Sequence, residues 1–322
     1  MAHIQTRDSN SMAGALWAMA AVVCFSANDA IIKFLSGDYP LHEVVLVRSL
    51  AGLCVVLGFI VPLSGGLAVL RTRRLGLHLV RGLCVFFANM FFFLGLASMP
   101  LADAVAIFFV SPLLIAAASV IFLGETVGPR RWAAIGMGFV GVVIVVRPGT
   151  SAFQVAALFP VLAAVAYASL HTLTRKMGAT EGAAVLIFYI QITMLCASAA
   201  FGLSLGHGGF AGSNMPALDF LLRGWVWPER FDLMLMIATG VCTAFGGFGI
   251  GQAYRASEAA FVAPFEYIAL PIAIVTGWVI FSEWPDTTAF AGISLILGSG
   301  LVLIWRETVV RRGAVSRPPA HR

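Results

Sequence analysis

The stretch Ala259–Phe281 reads AAFVAPFEYIALPIAIVTGWVIF. It is apolar and long enough to cross a bilayer, whose hydrocarbon core takes about 20 residues as a helix. Yet Glu266 sits near its middle, with Pro264 two residues before it and Pro271 five after. A carboxylate at that depth costs about 2.5–3.5 kcal/mol even on the lenient insertion scale. Each proline also removes a backbone donor, leaving the carbonyls of Ala260 and Tyr267 without their helical partners. Such segments persist where they face a bundle interior or a wet cavity rather than lipid. Ala259–Phe281 therefore reads as one wall of a polar cavity inside a membrane protein. The plainer alternative is a carboxyl bonded to a neighbouring helix.

Composition agrees. Of 322 residues, 60% are hydrophobic and 11% charged, against about 25% charged in soluble domains. The net charge of +5 lies in short basic clusters between apolar runs. These are topology signals, so nucleic acid is excluded as a partner and the lipid bilayer takes its place. Cys24, Cys54, Cys84, Cys196 and Cys242 all fall in apolar runs. With no CxxC and no Cys/His cluster, neither a disulfide framework nor a metal site is expected. Met12–Leu35 is too long for a signal peptide and ends in no cleavage motif, so it counts as a spanning helix.

Ten apolar runs are expected, at about 12–35, 41–61, 77–98, 101–123, 131–147, 152–175, 182–205, 232–254, 259–281 and 287–305. The fold class is an all-α membrane protein of ten transmembrane helices. With the N-terminus inside, 15 Lys and Arg residues fall on the inner side and 5 on the outer. The positive-inside rule then places both termini in the cytoplasm, and the compartment is the cell inner membrane. The long connection 206–231 is external and carries Trp225 and Trp227, as an interfacial anchor or a plain loop. Residues 1–11 form a cytoplasmic N-terminus. Residues 306–322 form a basic, disordered cytoplasmic tail lying along anionic headgroups.

The halves echo each other. Phe122-Leu-Gly-Glu125 ends one run and Ile280-Phe-Ser-Glu283 ends another, 158 residues later. At an offset of 142, Phe25 falls on Tyr167, Asp29 on His171 and Lys33 on Arg175. Five spans per half is an odd number, so the second half must enter the membrane upside down. Residues 12–147 and 152–305 thus read as two inverted-topology five-helix repeats. On these span ends, on Phe25-Ser-x-x-Asp29-x-x-x-Lys33, Tyr39-Pro40-Leu41, Arg48-Ser49, Pro100-Leu-Ala-Asp103-Ala, Ser111-Pro112-Leu113 and Ala263-Pro-Phe-Glu-Tyr267, the chain resembles the drug/metabolite transporter superfamily, EamA type. It is most similar to a bacterial branch with riboflavin and S-adenosylmethionine uptake carriers. The resemblance implies a ten-helix bundle whose central cavity opens alternately to each side. Ser282, where a glycine is usual, and the long loop 206–231 depart from the pattern.

Several polar residues could line that cavity. Asp29 and Lys33, four apart, share a helix face as a neutralised pair, which orients the helix or presents Asp29 to substrate. Asn28 shares that face only marginally. His171 is the repeat partner of Asp29 and could relay a coupling proton. Arg48 reads as a snorkelling interfacial arginine that binds phosphate headgroups or pairs with Glu43, or as a clamp for a substrate anion. Phe86, Asn89 and Phe93 share a face by 3–4 spacing and could stack a flat ring, although core packing is the more ordinary reading of them. Tyr167, Tyr189, Gln191, Gln252, Tyr254 and Tyr267 are further amphipathic candidates. Asp103 suits a helix N-terminus, and Gly247-xxx-Gly251 suits close helix packing.

No HExxH, GxSxG, P-loop or dinucleotide fingerprint occurs, so an enzyme and a cofactor are not expected. The expected function is secondary transport of a small-molecule substrate, with riboflavin uptake placed first. S-adenosylmethionine uptake and amino-acid or drug export follow, and an intramembrane enzyme or a scaffold is the different-class reading.

Overall fold

The computed structural model describes residues 2–123, 128–149, 155–177, 182–209, 212, 215–257 and 259–315. Glu125 and the chain beyond Val315 lie outside the described residues, as do the side chains of 2–11, 123, 130–131, 172–177, 259–261, 263 and 306–315. Every regular element among the described residues is helical. In chain order these are α1 (Ala2–Leu35), α2 (Leu41–Val55), α3 (Val61–Leu63), α4 (Leu75–Ser98), α5 (Leu101–Phe108), α6 (Ser111–Leu123), α7 (Pro129–Val146), α8 (Leu158–Met177), α9 (Ala183–Leu205), α10 (Pro216–Leu222), α11 (Arg230–Ala256), α12 (Ala259–Glu266), α13 (Ala269–Phe281) and α14 (Thr287–Val315). A π-helical turn, Val56–Ile60, joins α2 to α3.

Among the described residues, eight stretches are long and apolar enough to cross a membrane, and Trp132–Val146 and Val155–His171 are shorter apolar helices. The run at 101–123 is broken at Phe109-Val110 and the run at 259–281 at Tyr267-Ile268. Pro112 and Pro271 each sit in the first turn after a break, where a missing N–H is tolerated. The Tyr267 carbonyl, which Pro271 cannot reach, instead accepts from Leu270 N at 3.1 Å. The break thus closes its own orphaned group. The expected disordered tail is corrected in part: α14 stays helical through Val315, since residues 306–312 contain neither proline nor glycine.

Packing brings sequence-distant helices together. α1 runs along α11, α4 along α8, α7 along α14, and α2 lies between α9 and α11. The α1–α11 contact is close because α11 is glycine-rich there. A methyl on Gly246 would meet the Phe25 ring at 3.0 Å. Loop 206–231 is more than a plain connection. Trp225 Nε1 donates to Gly202 O at 3.0 Å, and its ring meets His42 edge-on with centroids 4.8 Å apart. Trp227 remains exposed.

Candidate functional site

Two polar centres lie inside the bundle. The first is Glu266, the last residue of α12 before the break. α12 packs against α1, α11 and α14, so the carboxyl lies among helices and is half-buried. It accepts a hydrogen bond from Tyr254 Oη. Tyr254 lies in the last turn of α11 and Glu266 at the end of α12, and the packing of α12 against α11 brings them together. Tyr167 and Tyr267 also lie within electrostatic reach of the Glu266 carboxyl. His171 stands over Tyr167, with ring centroids 4.5 Å apart. Gln252, on α11, is half-buried and hydrogen-bonds to none of these residues.

The second centre is Arg48 on α2. Only 3% of it is exposed. Its Nη1 donates to Asn89 Oδ1 at 3.4 Å, its guanidinium carbon stands 5.1 Å from the Phe93 ring centroid, and Asp29 is within electrostatic range. Asn28 Nδ2 donates to Asp29 Oδ1 at 3.0 Å. A buried arginine needs such company, because its charge leaves water at high cost. The expected Arg48–Glu43 pair is not made, because Glu43 accepts from Val226 N at 3.0 Å and holds the loop 206–231. A cleft between α2, α4 and α9, roofed by Leu221, is lined by His42, Phe86, Asn89 and Met90 but not by Glu266.

The centres are joined by rings. Centroid separations are 5.4 Å for Tyr167–Phe108, 5.0 Å for Phe108–Phe92 and 6.1 Å for Phe92–Phe93, after which the Arg48 guanidinium follows. Such spacings are those of favourable aromatic contacts. Phe108 and Phe92 were not among the sequence candidates; nothing in an apolar run distinguishes a ring facing inward from one facing lipid. Tyr254 was a minor candidate, and the packing of α11 against α12 pairs it with Glu266. Tyr189 and Gln191 lie apart. Tyr189 Oη donates to Leu70 O at 3.1 Å, and Gln191 packs against Gly52.

The Asp29–Lys33 pair is also corrected. Lys33 turns to Glu283, 2.9 Å away. It also donates to Leu96 O at 3.2 Å and Met99 O at 2.6 Å. Asp103 sits in the first turn of α5, as expected.

Helices of this length wrapped around buried charge make a multi-pass membrane protein. The chain belongs to the EamA-like transporter family. The family profile matches residues 12–147. An S-adenosylmethionine uptake transporter of Rickettsia bellii is 30% identical over 291 residues, covering 90% of this chain and 93% of its own length. A riboflavin transporter of Rhizobium johnstonii is 29% identical over 306 residues, covering 94% and 95%. A solved crystal structure at 23% identity superposes with a TM-score of 0.59 over 94% of this chain and 99% of its own, a likeness of fold. The protein is a transporter of a small molecule, not an enzyme.

Proposed function

We propose that the protein is a ten-span secondary transporter of the cell inner membrane, both termini cytoplasmic, working by alternating access of two inverted halves. The helix pairings support the repeat. Exchanging the halves turns the α1–α11 pair into α8–α4 and α2–α11 into α9–α4, while α2–α9 and α7–α14 map onto themselves. Substrate sites in such carriers lie at the repeat interface near the midplane. Glu266, Tyr254, Tyr167, His171, Tyr267 and Gln252 would meet substrate from one side of the ring chain. Asp29, Arg48, Asn89, Phe86 and Phe93 would meet it from the other.

The observation that carries the substrate reading is the charge balance. Asp29 is countered by Arg48, whereas Glu266 has tyrosine hydroxyls for neighbours. An acid so placed favours a substrate with a flat ring and a positive charge, as in S-adenosylmethionine, whose amino-acid end also matches an Asp–Arg pair. Riboflavin uptake, placed first from the sequence, is the second reading, favoured by the ring chain alone. Amino-acid or drug export ranks below both, since neither needs such a chain. In proteoliposomes, Glu266→Gln is expected to lower S-adenosylmethionine uptake about tenfold or more, the equivalent of about 1.4 kcal/mol, and riboflavin uptake less. Equal loss of both would defeat the choice. An imposed pH gradient tests whether a proton is coupled, with His171 as its carrier.

A further inference from the structure

Lys33 lies at the end of α1, outside both centres. An ammonium has three N–H donors, and all three are used: Leu96 O at 3.2 Å, Met99 O at 2.6 Å and Glu283 Oε1 at 2.9 Å. The Phe281 ring is 5.3 Å from the nitrogen, and only 9% of the side chain is exposed. The other Glu283 oxygen accepts from Leu101 N at 3.0 Å, capping the first turn of α5. Glu283 is aimed there by the left-handed residue Ser282, at φ 56°, and by its own N–H bonding Gly277 O at 2.9 Å, a Schellman-type end to α13. One lysine and one glutamate therefore bind the ends of α1, α4, α5 and α13, which belong to both halves of the chain.

The packing around this tie is asymmetric. α5 packs on α13. Exchange of the halves would turn that pair into α6 and α12, and no comparably close α6–α12 packing occurs among the described residues. An alternating carrier closed at one face and not at the other has this form.

We propose that Lys33–Glu283 is the gate tie of the face formed by the end of α1, the α4–α5 corner and the end of α13, closed in this state and broken whenever the pathway opens there. The inference rests on the two-repeat reading but on no substrate. Its test is labelling of an introduced Ala97→Cys, beside the Leu96 and Met99 carbonyls, by a membrane-impermeant maleimide. The background lacks the five native cysteines. Labelling should be slow with Lys33 and Glu283 in place, and faster by about tenfold or more in Lys33→Met and in Glu283→Gln, since loss of the tie shifts the population. Lys33→Arg, which can still reach Glu283, should stay slow. Thermal unfolding in detergent checks folding; if Lys33→Met does not fold, Glu283→Gln and Lys33→Arg decide. Equal labelling rates in all versions would overturn the proposal. Faster labelling in a protein that carries neither S-adenosylmethionine nor riboflavin would support the tie and sink only the substrate reading.

Discussion

Phe109 and Tyr267 meet with ring centroids 4.9 Å apart and planes tilted by 38°, each standing at the break of its own span. They are 158 residues apart, the same separation as Glu125 and Glu283. Both broken helices thus break at equivalent places and meet there. The Tyr267 hydroxyl is buried without a partner, and a methyl on Gly300 would come within 1.8 Å of it. Gly300→Ala is therefore expected to cost about 1–3 kcal/mol by overpacking. Tyr267→Phe in the same chain should recover part of that loss, measured by unfolding in detergent. Absence of any recovery would show that the two positions do not meet.

Tyr254→Phe removes the hydroxyl that Glu266 accepts from. Hydrogen bonds of this kind are worth about 0.5–3 kcal/mol, so substrate affinity should fall several-fold while folding is kept. Transport KM in proteoliposomes reads this directly, and an unchanged KM would argue that Glu266 is held by other means.

Arg48→Met leaves Asp29 without its cation in the bundle interior. Removing one partner of a buried charge pair costs about 3–5 kcal/mol. The double variant Asp29→Asn/Arg48→Met should be less destabilised than the sum of the singles, by about 0.5–3 kcal/mol. Strict additivity in chemical unfolding would mean the two charges do not interact.

Ser282 occupies a left-handed conformation at φ 56°, which costs a non-glycine residue about 1–2 kcal/mol. Ser282→Gly should raise stability by about 0.5–1 kcal/mol once the greater freedom of glycine in the unfolded chain is subtracted. A lower unfolding midpoint for Ser282→Gly would contradict that backbone geometry.

On the loop 206–231, Arg223 Nη2 donates to Asp219 Oδ2 at 2.5 Å, and this bond, with a second from Gly212 N, holds the Asp219 carboxyl below its usual range. A folded-state pKa lowered in this way supplies stability that is fully present above the unfolded value of about 3.9 and is lost as pH falls from there through the lower folded-state value. Unfolding midpoints taken from pH 7 down to pH 3 should therefore converge for the parent and Asp219→Asn only at the acid end. A difference that persists at the lowest pH would point to a cause other than this carboxylate.

Much of the site was legible in one dimension, and the exceptions share a cause. Glu266 stood out because a charge in an apolar run is expensive wherever it faces. Asp29 and Lys33 misled because an i,i+4 spacing states only that two groups are near, whereas Lys33 found three acceptors elsewhere and had no donor left over. Arg48 misled in the opposite way. An arginine a turn and a half into a span suits the interface equally well, until Asn89 and Phe93 of α4 are seen beneath it.

By itself, the order of residues determined that this chain spans a membrane many times and that an acid with flanking prolines lies within an apolar run. Those properties follow from transfer free energies and backbone donors, which each residue carries wherever it sits. Only the tertiary structure decided which charge answers which, where rings form a continuous line, and that Lys33 meets Glu283 rather than Asp29. Such choices depend on distances between helices that are separate in the sequence, and electrostatic and hydrogen-bond energies fall off too steeply with distance for sequence spacing to stand in for them.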